Sequence, residues 1–146
     1  MVRLKHRFII GQVFFAQRHL QSLNVTTTSS SSFGSDVTKS ITIPRIIEII
    51  RQRIFELYGE MGLGEFGQQV VIKYYEQEYS KFIVIKLPRG YQKYIQFILS
   101  SITSIDDVPL TIRTLQTTSC GRTTMNKLKE LTDLYLQHHP KVKELE

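Results

Sequence analysis

The stretch QVVIKYYEQEYSKFIVIKL, residues 69–87, decides the fold because it predicts two neighbouring strands. Residues 69–76 and 80–87 are both rich in β-branched and aromatic side chains, which favour strands. A polar tip, Glu76-Gln77-Glu78, separates them. Strands joined by so short a connection pair as an antiparallel hairpin.

The second strand of this hairpin is apolar on both of its faces. Side chains alternate along a strand, so Ile83 and Ile85 point to one face while Phe82 and Val84 point to the other. A strand of this kind is covered on both faces. Two amphipathic helices can cover one face, and a third helix or a partner protein is expected to cover the other.

The elements around the hairpin complete a recognised order. We expect a strand at 8–15, a helix from about 43 to 61, a helix from about 91 to 101, a strand at 108–117 and a helix from about 123 to 137. Three glycines, Gly59, Gly62 and Gly64, are expected to end the first of these helices. The order β-α-β-β-α-β plus a C-terminal helix predicts an α+β, ferredoxin-like (RRM-like) sandwich. Its sheet is expected to have four antiparallel strands.

RNA-recognition motifs share this fold but stack bases on an open sheet face. That mode requires paired aromatic side chains and a glycine in the third strand. Residues 79–86 contain Phe82 but lack the glycine and the second aromatic residue at the required position. Because both faces of this strand are apolar, base stacking on the centre of the sheet is not expected.

The chain is read as one domain, 1–146, because its 146 residues can bury one core. A Ser/Thr-rich stretch at 17–40 has too few apolar residues to pack, and we interpret it as a mobile insertion. The longest apolar run, residues 8–16, is too short to span a bilayer. The single cysteine, Cys120, forms no internal disulfide, which favours a reducing compartment.

The net charge of +6 is concentrated near the start of the chain. Among residues 1–46, the only acid is Asp36, and the basic residues are Arg3, Lys5, Arg7, Arg18, Lys39 and Arg45. A basic segment on an otherwise balanced domain indicates a polyanion partner such as a nucleic acid. The alternative is a solvated basic surface.

The motifs that resemble active sites do not have the context that their chemistry requires. Residues 62–67 read GLGEFG and match GxGxxG, but they follow a helix and precede a strand, the reverse of a dinucleotide site. The pairs His138-His139 and Asp106-Asp107 lack further metal ligands at a usable spacing. Cys120 has no base beside it in sequence. We therefore expect no catalytic residues, no metal site and no cofactor bound by the protein alone.

The first residues, MVRLKHRFII, begin either a signal peptide or a basic strand. Gln17, Arg18 and His19 follow the apolar run where a signal peptide needs small residues, so a retained strand is favoured. In an extended chain, three alternating cations project to one side and can contact successive phosphates. These are Arg3, Lys5 and Arg7, and a second basic set, Arg122, Lys127 and Lys129, lies at the start of the last helix.

Residues 1–10 resemble the start of the Pop-five subunit family of eukaryotic ribonuclease P and ribonuclease MRP, which begins with a basic Met-Val-Arg stretch. Residues 64–67, GEFG, are similar to a turn before the second strand of that family. The resemblance covers roughly residues 1–131. The counterpart of a family arginine that follows the fourth strand is Arg122 or Arg113, and Arg122 is favoured because it lies at the strand-to-helix junction.

The resemblance implies a non-catalytic subunit of a nuclear and nucleolar ribonucleoprotein. In that family the RNA holds Mg²⁺ and cleaves precursor tRNA, or ribosomal RNA precursors in the MRP particle. The protein pairs with a TIM-barrel-like subunit, contacts other subunits and braces the RNA core. The expected RNA-binding residues are Arg3, Lys5, Arg7, Arg122 and Lys127.

Two hypotheses from other classes stay open on the sequence alone. One is a small ferredoxin-like ligand-binding or regulatory domain that dimerises through its sheet. The other is a secreted glycoprotein modified at Asn24, which begins an Asn-Val-Thr sequon. Membership of ribonuclease P, of MRP or of both is not distinguished by the sequence.

Overall fold

The structure is a computed structural model that describes residues 5–16, 41–77 and 79–140. The predicted insertion at 17–40 lies outside these residues. None of the helices in the described ranges is long and apolar enough to cross a membrane. In chain order the elements are β1 His6–Phe15, α1 Ile43–Glu65, a 3₁₀ turn Gly67–Gln69, β2 Val71–Tyr75, β3 Phe82–Pro88, α2 Gln92–Ser101, β4 Ser104–Ile105, β5 Val108–Thr118 and α3 Gly121–His138.

The strands form one antiparallel sheet in the order β2-β3-β1-β5-β4. Strand β1 lies at the centre, where Ile9 pairs with Ile85 of β3 on one side and with Thr117 of β5 on the other. The hairpin predicted from residues 69–87 is present, with Ile72 opposite Ile85. The order of β2, β3, β1 and β5 is the ferredoxin-like arrangement that the sequence predicts.

The prediction of four strands is wrong, because a fifth short strand lies at the edge of the sheet. Strand β4 has only two residues, and Ile105 pairs with Val108 across the turn Asp106-Asp107. Both aspartates have positive φ, 50° and 64°, which is the backbone conformation of a tight two-residue hairpin. Two residues carry no alternation pattern, so this strand gave no signal in the sequence.

The first face of the sheet carries the larger core, under α1 and α2. Ile9, Ile83 and Ile85 point to this face and are completely buried. The helices contribute residues at three- and four-residue spacing, as amphipathic helices do. Those that are fully or almost fully buried are Ile46, Ile50, Ile54, Ile95, Ile98 and Leu99.

The second face of the sheet is covered by α3, which confirms one of the two covers predicted for it. Leu128 of α3 is buried with Ile10, Phe82 and Val84 of the sheet. Leu131 and Tyr135 pack against the same cluster. The C-terminal half of α3 is held near the β2–β3 connection, where the Tyr135 hydroxyl donates to the carbonyl of Tyr79 at 3.1 Å.

Helix α1 continues beyond the glycines that were expected to end it. Gly59 interrupts the helix with a φ of +69°, which glycine adopts without a steric penalty, and a second helical segment runs on to Glu65. Gly62 is buried inside that segment, and a Cβ atom there would clash with Tyr58. The GxGxxG match therefore lies in a helix end and a 3₁₀ turn.

Replacing Leu128 with Ala tests whether α3 is an integral layer. Leu128 is 5% exposed, so we expect the free energy of unfolding to fall by about 2–4 kcal/mol. Leu134 lies on the same helix and is 50% exposed, so Leu134→Ala is expected to change it by less than about 0.5 kcal/mol. Urea unfolding of both variants measures the difference. Equal effects would mean that α3 does not pack on the sheet.

Candidate nucleic-acid interface

The start of β1 lies beside the ends of β3 and β5. Arg7 pairs with Leu87, and the backbone N–H of Arg89 donates to the carbonyl of Lys5 at 2.9 Å. On the other side of β1, Phe8 pairs with Thr118, three residues before α3 begins. This antiparallel pairing brings together basic residues that are far apart in the sequence.

We call this region of the molecule the basic end. It is defined by six basic residues: one directly before β1 and one at its start, one near the end of β3 and one directly after it, one in the first turn of α2 and one in the first turn of α3. Four of these side chains belong to exposed residues and two to half-buried residues. They are Lys5, Arg7, Lys86, Arg89, Lys93 and Arg122.

None of these six cations has an ion-pair partner within residues 5–16, 41–77 and 79–140. The Arg7 Nη1 donates to the carbonyl of His6 at 3.4 Å, which leaves most of its donors for other contacts. An arginine has five N–H donors and a lysine has three. The basic end therefore presents many charged donors that folding does not use.

Two helix N-termini add to the positive field at the basic end. Helix α2 begins at Gln92, directly after β3, and α3 begins at Gly121, directly after β5. Neither helix has a side-chain cap or an acidic residue in its first turn. Unpaired backbone N–H groups and the helix dipole favour anions at such positions.

The start of α2 is fixed by an aromatic cluster at the end of α1. The ring of Tyr91 stacks on Phe66 with 4.8 Å between centroids. The Tyr91 hydroxyl donates to Glu65 Oε1 at 2.6 Å, and this contact raises the pKa of Tyr91. Glu65 is thus an acid near the basic end whose carboxylate is hydrogen-bonded to a neutral phenol.

Other acids lie at the opposite end of the sheet. Asp106 and Asp107 form the β4–β5 turn, and Glu76 follows β2. Asp106 accepts from Arg45 Nη2 at 2.7 Å, and this ion pair holds the pKa of the Asp106 carboxyl below its ordinary value. The basic end and these acids therefore lie at opposite ends of the strands.

The sequence placed five residues in the RNA site, and the structure describes four of them. Lys5, Arg7 and Arg122 all lie at the basic end. Strand alternation points Arg7 to the face of α1 and α2, whereas Arg122 begins the helix on the other face, so the cations flank the strand ends from both sides. Arg3 lies outside the described residues.

Lys127 is placed less favourably than the other three. It lies two turns into α3, and its Nζ contacts Glu130 Oε2 at 2.8 Å. Its charge is therefore partly compensated within the helix. A role for Lys127 in RNA binding stays a prediction.

Arg113 and Arg122 occupy different parts of the molecule. Arg113 lies in the middle of β5, opposite Gln12. It is five residues before the end of the strand, roughly 17 Å from that end at the rise of an extended chain. Arg122 lies at the strand-to-helix junction, as expected. Only Arg122 belongs to the basic end.

Residues 7–129 match the sequence profile of the Rpp14/Pop5 family. The chain belongs to the Rpp14/Pop5 family. This is a family of protein subunits of ribonuclease P and ribonuclease MRP, which act in tRNA and rRNA processing. The resemblance stated from the sequence is confirmed, although the match begins at Arg7 and leaves out most of the basic segment that suggested it.

The fold is also similar to a chain in a cryo-EM structure of yeast ribonuclease MRP. The two chains are 16% identical, the similarity covers 92% of this chain and 95% of that chain, and the TM-score is 0.46. A comparison with curated proteins found no match.

Three members of the basic end were missed by sequence reasoning. Lys86 is an ordinary strand residue, Arg89 lies in a turn and Lys93 starts a helix. They lie within eight residues of one another, but nothing in the local sequence links them to Lys5 and Arg7, and the pairing of β1 with β3 is what brings the end of β3 beside the start of β1. The described residues of this Rpp14/Pop5 family member hold no group of three or more His, Cys, Asp or Glu that could bind a metal.

Cys120 precedes α3 and provides a chemical probe of this junction. Its Sγ lies 3.0 Å from Thr123 Oγ1, and hydrogen bonding from Thr123 lowers the pKa of the thiol below its ordinary value. Replacing Thr123 with Val removes this donor. We therefore expect slower alkylation of Cys120 by iodoacetamide near about pH 7.5, because less of the reactive thiolate is present.

Mass spectrometry of the time course measures this rate. Thr123→Ser keeps the hydroxyl and is expected to keep the rate, whereas Cys120→Ser removes the single cysteine and all labelling. An unchanged or faster rate in Thr123→Val would show that the hydroxyl does not stabilise the thiolate.

Proposed function

We propose that this chain is a non-catalytic subunit of ribonuclease P, of ribonuclease MRP or of both, and that it braces the RNA core through its basic end. The observation that carries the proposal is the convergence of six cations without ion-pair partners in the described residues. Membership of the Rpp14/Pop5 family supports an RNA as the polyanion.

The charge arrangement suits phosphates better than bases. Lys5, Arg7 and Arg89 are adjacent through backbone pairing, so they can contact neighbouring phosphates of a folded RNA. The interior strand β3 is buried on both faces, which leaves no stacking platform there. Such contacts position the protein and stabilise the RNA without reading its sequence.

The remaining parts of the proposal concern the particle. The RNA holds the Mg²⁺ ions and cleaves the 5′ end of precursor tRNA, or a ribosomal RNA precursor in the MRP particle. The chain contacts a TIM-barrel-like subunit and other proteins of the same particle. Its place of action is the nucleus and the nucleolus.

Recovery of the RNA tests the assignment to a particle. The chain carries a C-terminal tag, so that residues 1–7 stay free, and is purified from its own cells at physiological salt. We expect a structured noncoding RNA together with precursor-tRNA cleavage activity, or rRNA-precursor cleavage for MRP. Absence of RNA above background would contradict the proposed function.

Removal of single charges tests the basic end. We expect Arg7→Gln and Arg122→Gln each to weaken binding of the recovered RNA several-fold and to lower the slope of log affinity against log salt by about 1. Arg53→Gln removes the same charge from α1 outside the basic end, where Arg53 pairs with Glu56 and donates to the Ser101 carbonyl at 3.5 Å, and is expected to change neither quantity.

Salt-dependent filter binding measures both quantities, and urea unfolding shows that each variant is folded. If Arg53→Gln weakens binding as much as Arg7→Gln and Arg122→Gln do, the effect depends on net charge alone, and the basic end is not the contact surface.

A further inference from the structure

Strand β5 has an outer edge that is unpaired over most of its length. Its inner side pairs with β1 from Leu110 to Thr118. Its outer side pairs with β4 only through Val108 and Pro109, and the last contact is the Leu110 N–H, which donates to the carbonyl of Thr103 at 3.0 Å. Beyond Leu110, no strand in the described part of the chain lies on this side of β5.

The direction of the backbone groups along this edge follows from two hydrogen bonds. The carbonyl of Pro109 accepts from the N–H of Ala16, which follows β1, so the backbone groups of Pro109 point inward, toward β1. The N–H of Leu110 donates to the carbonyl of Thr103, so the backbone groups of Leu110 point outward. Backbone groups alternate along a strand, so Ile112 and Thr114 also direct their N–H and C=O groups outward. Neither has a backbone partner on the outer side among the described residues. Such a row is a template for another strand.

A groove runs along this edge. It is lined by Phe14, Gln96, Ser100 and residues 111–117. Helix α2 supplies one wall, and the Gln96 Nε2 donates to Thr117 Oγ1 at 3.1 Å where α2 crosses the strand. The Phe14 side chain is 45% exposed, so apolar surface is available beside the edge for the side chains of an extended segment.

The edge keeps a regular stretch between two features that protect sheet edges, Pro109 before it and a register shift after it. Its regular part, residues 110–114, comes before the register shift that leaves Leu115 unpaired. Arg113 is the one charged residue within 110–114, and it forms no ion pair among the described residues. The opposite edge strand, β2, has five residues and a register shift in its middle. Strand β5 is therefore the better template.

We propose that the outer edge of β5 binds an extended segment of a different protein, which adds a strand beside residues 110–114. The segment carries an acidic residue near Arg113 and an apolar residue near Phe14. Alternating N–H and C=O groups are matched by another polypeptide backbone, whereas RNA offers no such alternation. A second copy brings another Arg113 and the same net charge of +6, which favours a different, acidic partner.

A proline at position 114 tests the edge directly. Thr114→Pro removes an N–H that points away from β1, so the pairing with β1 is kept, and proline is tolerated at such edge positions. Thr114→Ala removes the side chain but keeps the N–H and is the matched control. Urea unfolding of both variants shows whether the sheet is intact.

The probe is a photo-crosslinking benzoylphenylalanine that replaces Thr111, which is exposed and lines the groove. It is placed in the C-terminally tagged chain, which is irradiated in its own cells and purified. With Thr114→Ala, we expect one cross-linked protein peptide that contains an acidic residue. With Thr114→Pro, its yield is expected to fall at least about tenfold, while the amount of recovered RNA stays the same.

Several results would overturn the proposal. These are cross-links to a second copy of this chain, cross-links to RNA, no cross-linked protein, or equal yields with Thr114→Ala and Thr114→Pro. If no RNA is recovered with any variant but the protein cross-link is still formed, the proposed function is rejected and the proposal for the β5 edge stands. If the proline variant does not fold, Arg113→Glu compared with Arg113→Gln keeps the test, and a stronger loss in Arg113→Glu is expected.

Discussion

Strand β3 has to be covered on both faces, and much of the molecule is arranged around that requirement. Six of its seven residues are buried, and Lys86 is the exception. Each apolar side chain left in water would cost about 1.5–3 kcal/mol, so neither face can stay open. Helices α1 and α2 cover one face and α3 covers part of the other. The ends and the edges of the sheet, rather than its centre, are therefore the surfaces that a partner can contact.

The order of the chain explains why one end is positive. Helices α2 and α3 follow β3 and β5 directly, so both begin where those strands end. The antiparallel pairing of β1 with both strands brings Lys5 and Arg7 to the same place. Fixed backbone dipoles and mobile side-chain charges thus add at one end, while the Asp106-Asp107 turn lies at the other. A field of this kind attracts and orients a polyanion before any specific contact forms.

Local sequence was sufficient for the features that depend on neighbours in the chain. A run of β-branched and aromatic residues identified β3, and three- and four-residue spacing identified the helices. Spacing alone does not define the inward face of α3. Met125 and Leu134 fit its apolar three- and four-residue spacing but are about half exposed, because Thr124, Leu128, Leu131 and Tyr135 form the contact stripe. Strand β4 was missed because two residues show no period.

Features that depend on pairing register could not be predicted from the sequence. Lys86, Arg89 and Lys93 are close together in the sequence but about 80 residues from Lys5 and Arg7, and only the pairing of β3 with β1 joins the two groups, so three of the six residues of the basic end were not found. The free edge of β5 likewise depends on how short β4 is. The resemblance of the first ten residues identified the family, but it gave no information about which surface of the sandwich carries the charge.

Ultraviolet cross-linking of the purified ribonucleoprotein, with mass spectrometry of the cross-linked peptides, tests the central claim most directly. RNA contacts at the basic end predict nucleotide adducts in three separate segments, at the start of β1, at the β3–α2 junction and at the β5–α3 junction. Adducts confined to the Asp106-Asp107 end, or to the outer surfaces of α1 and α2, would contradict the account.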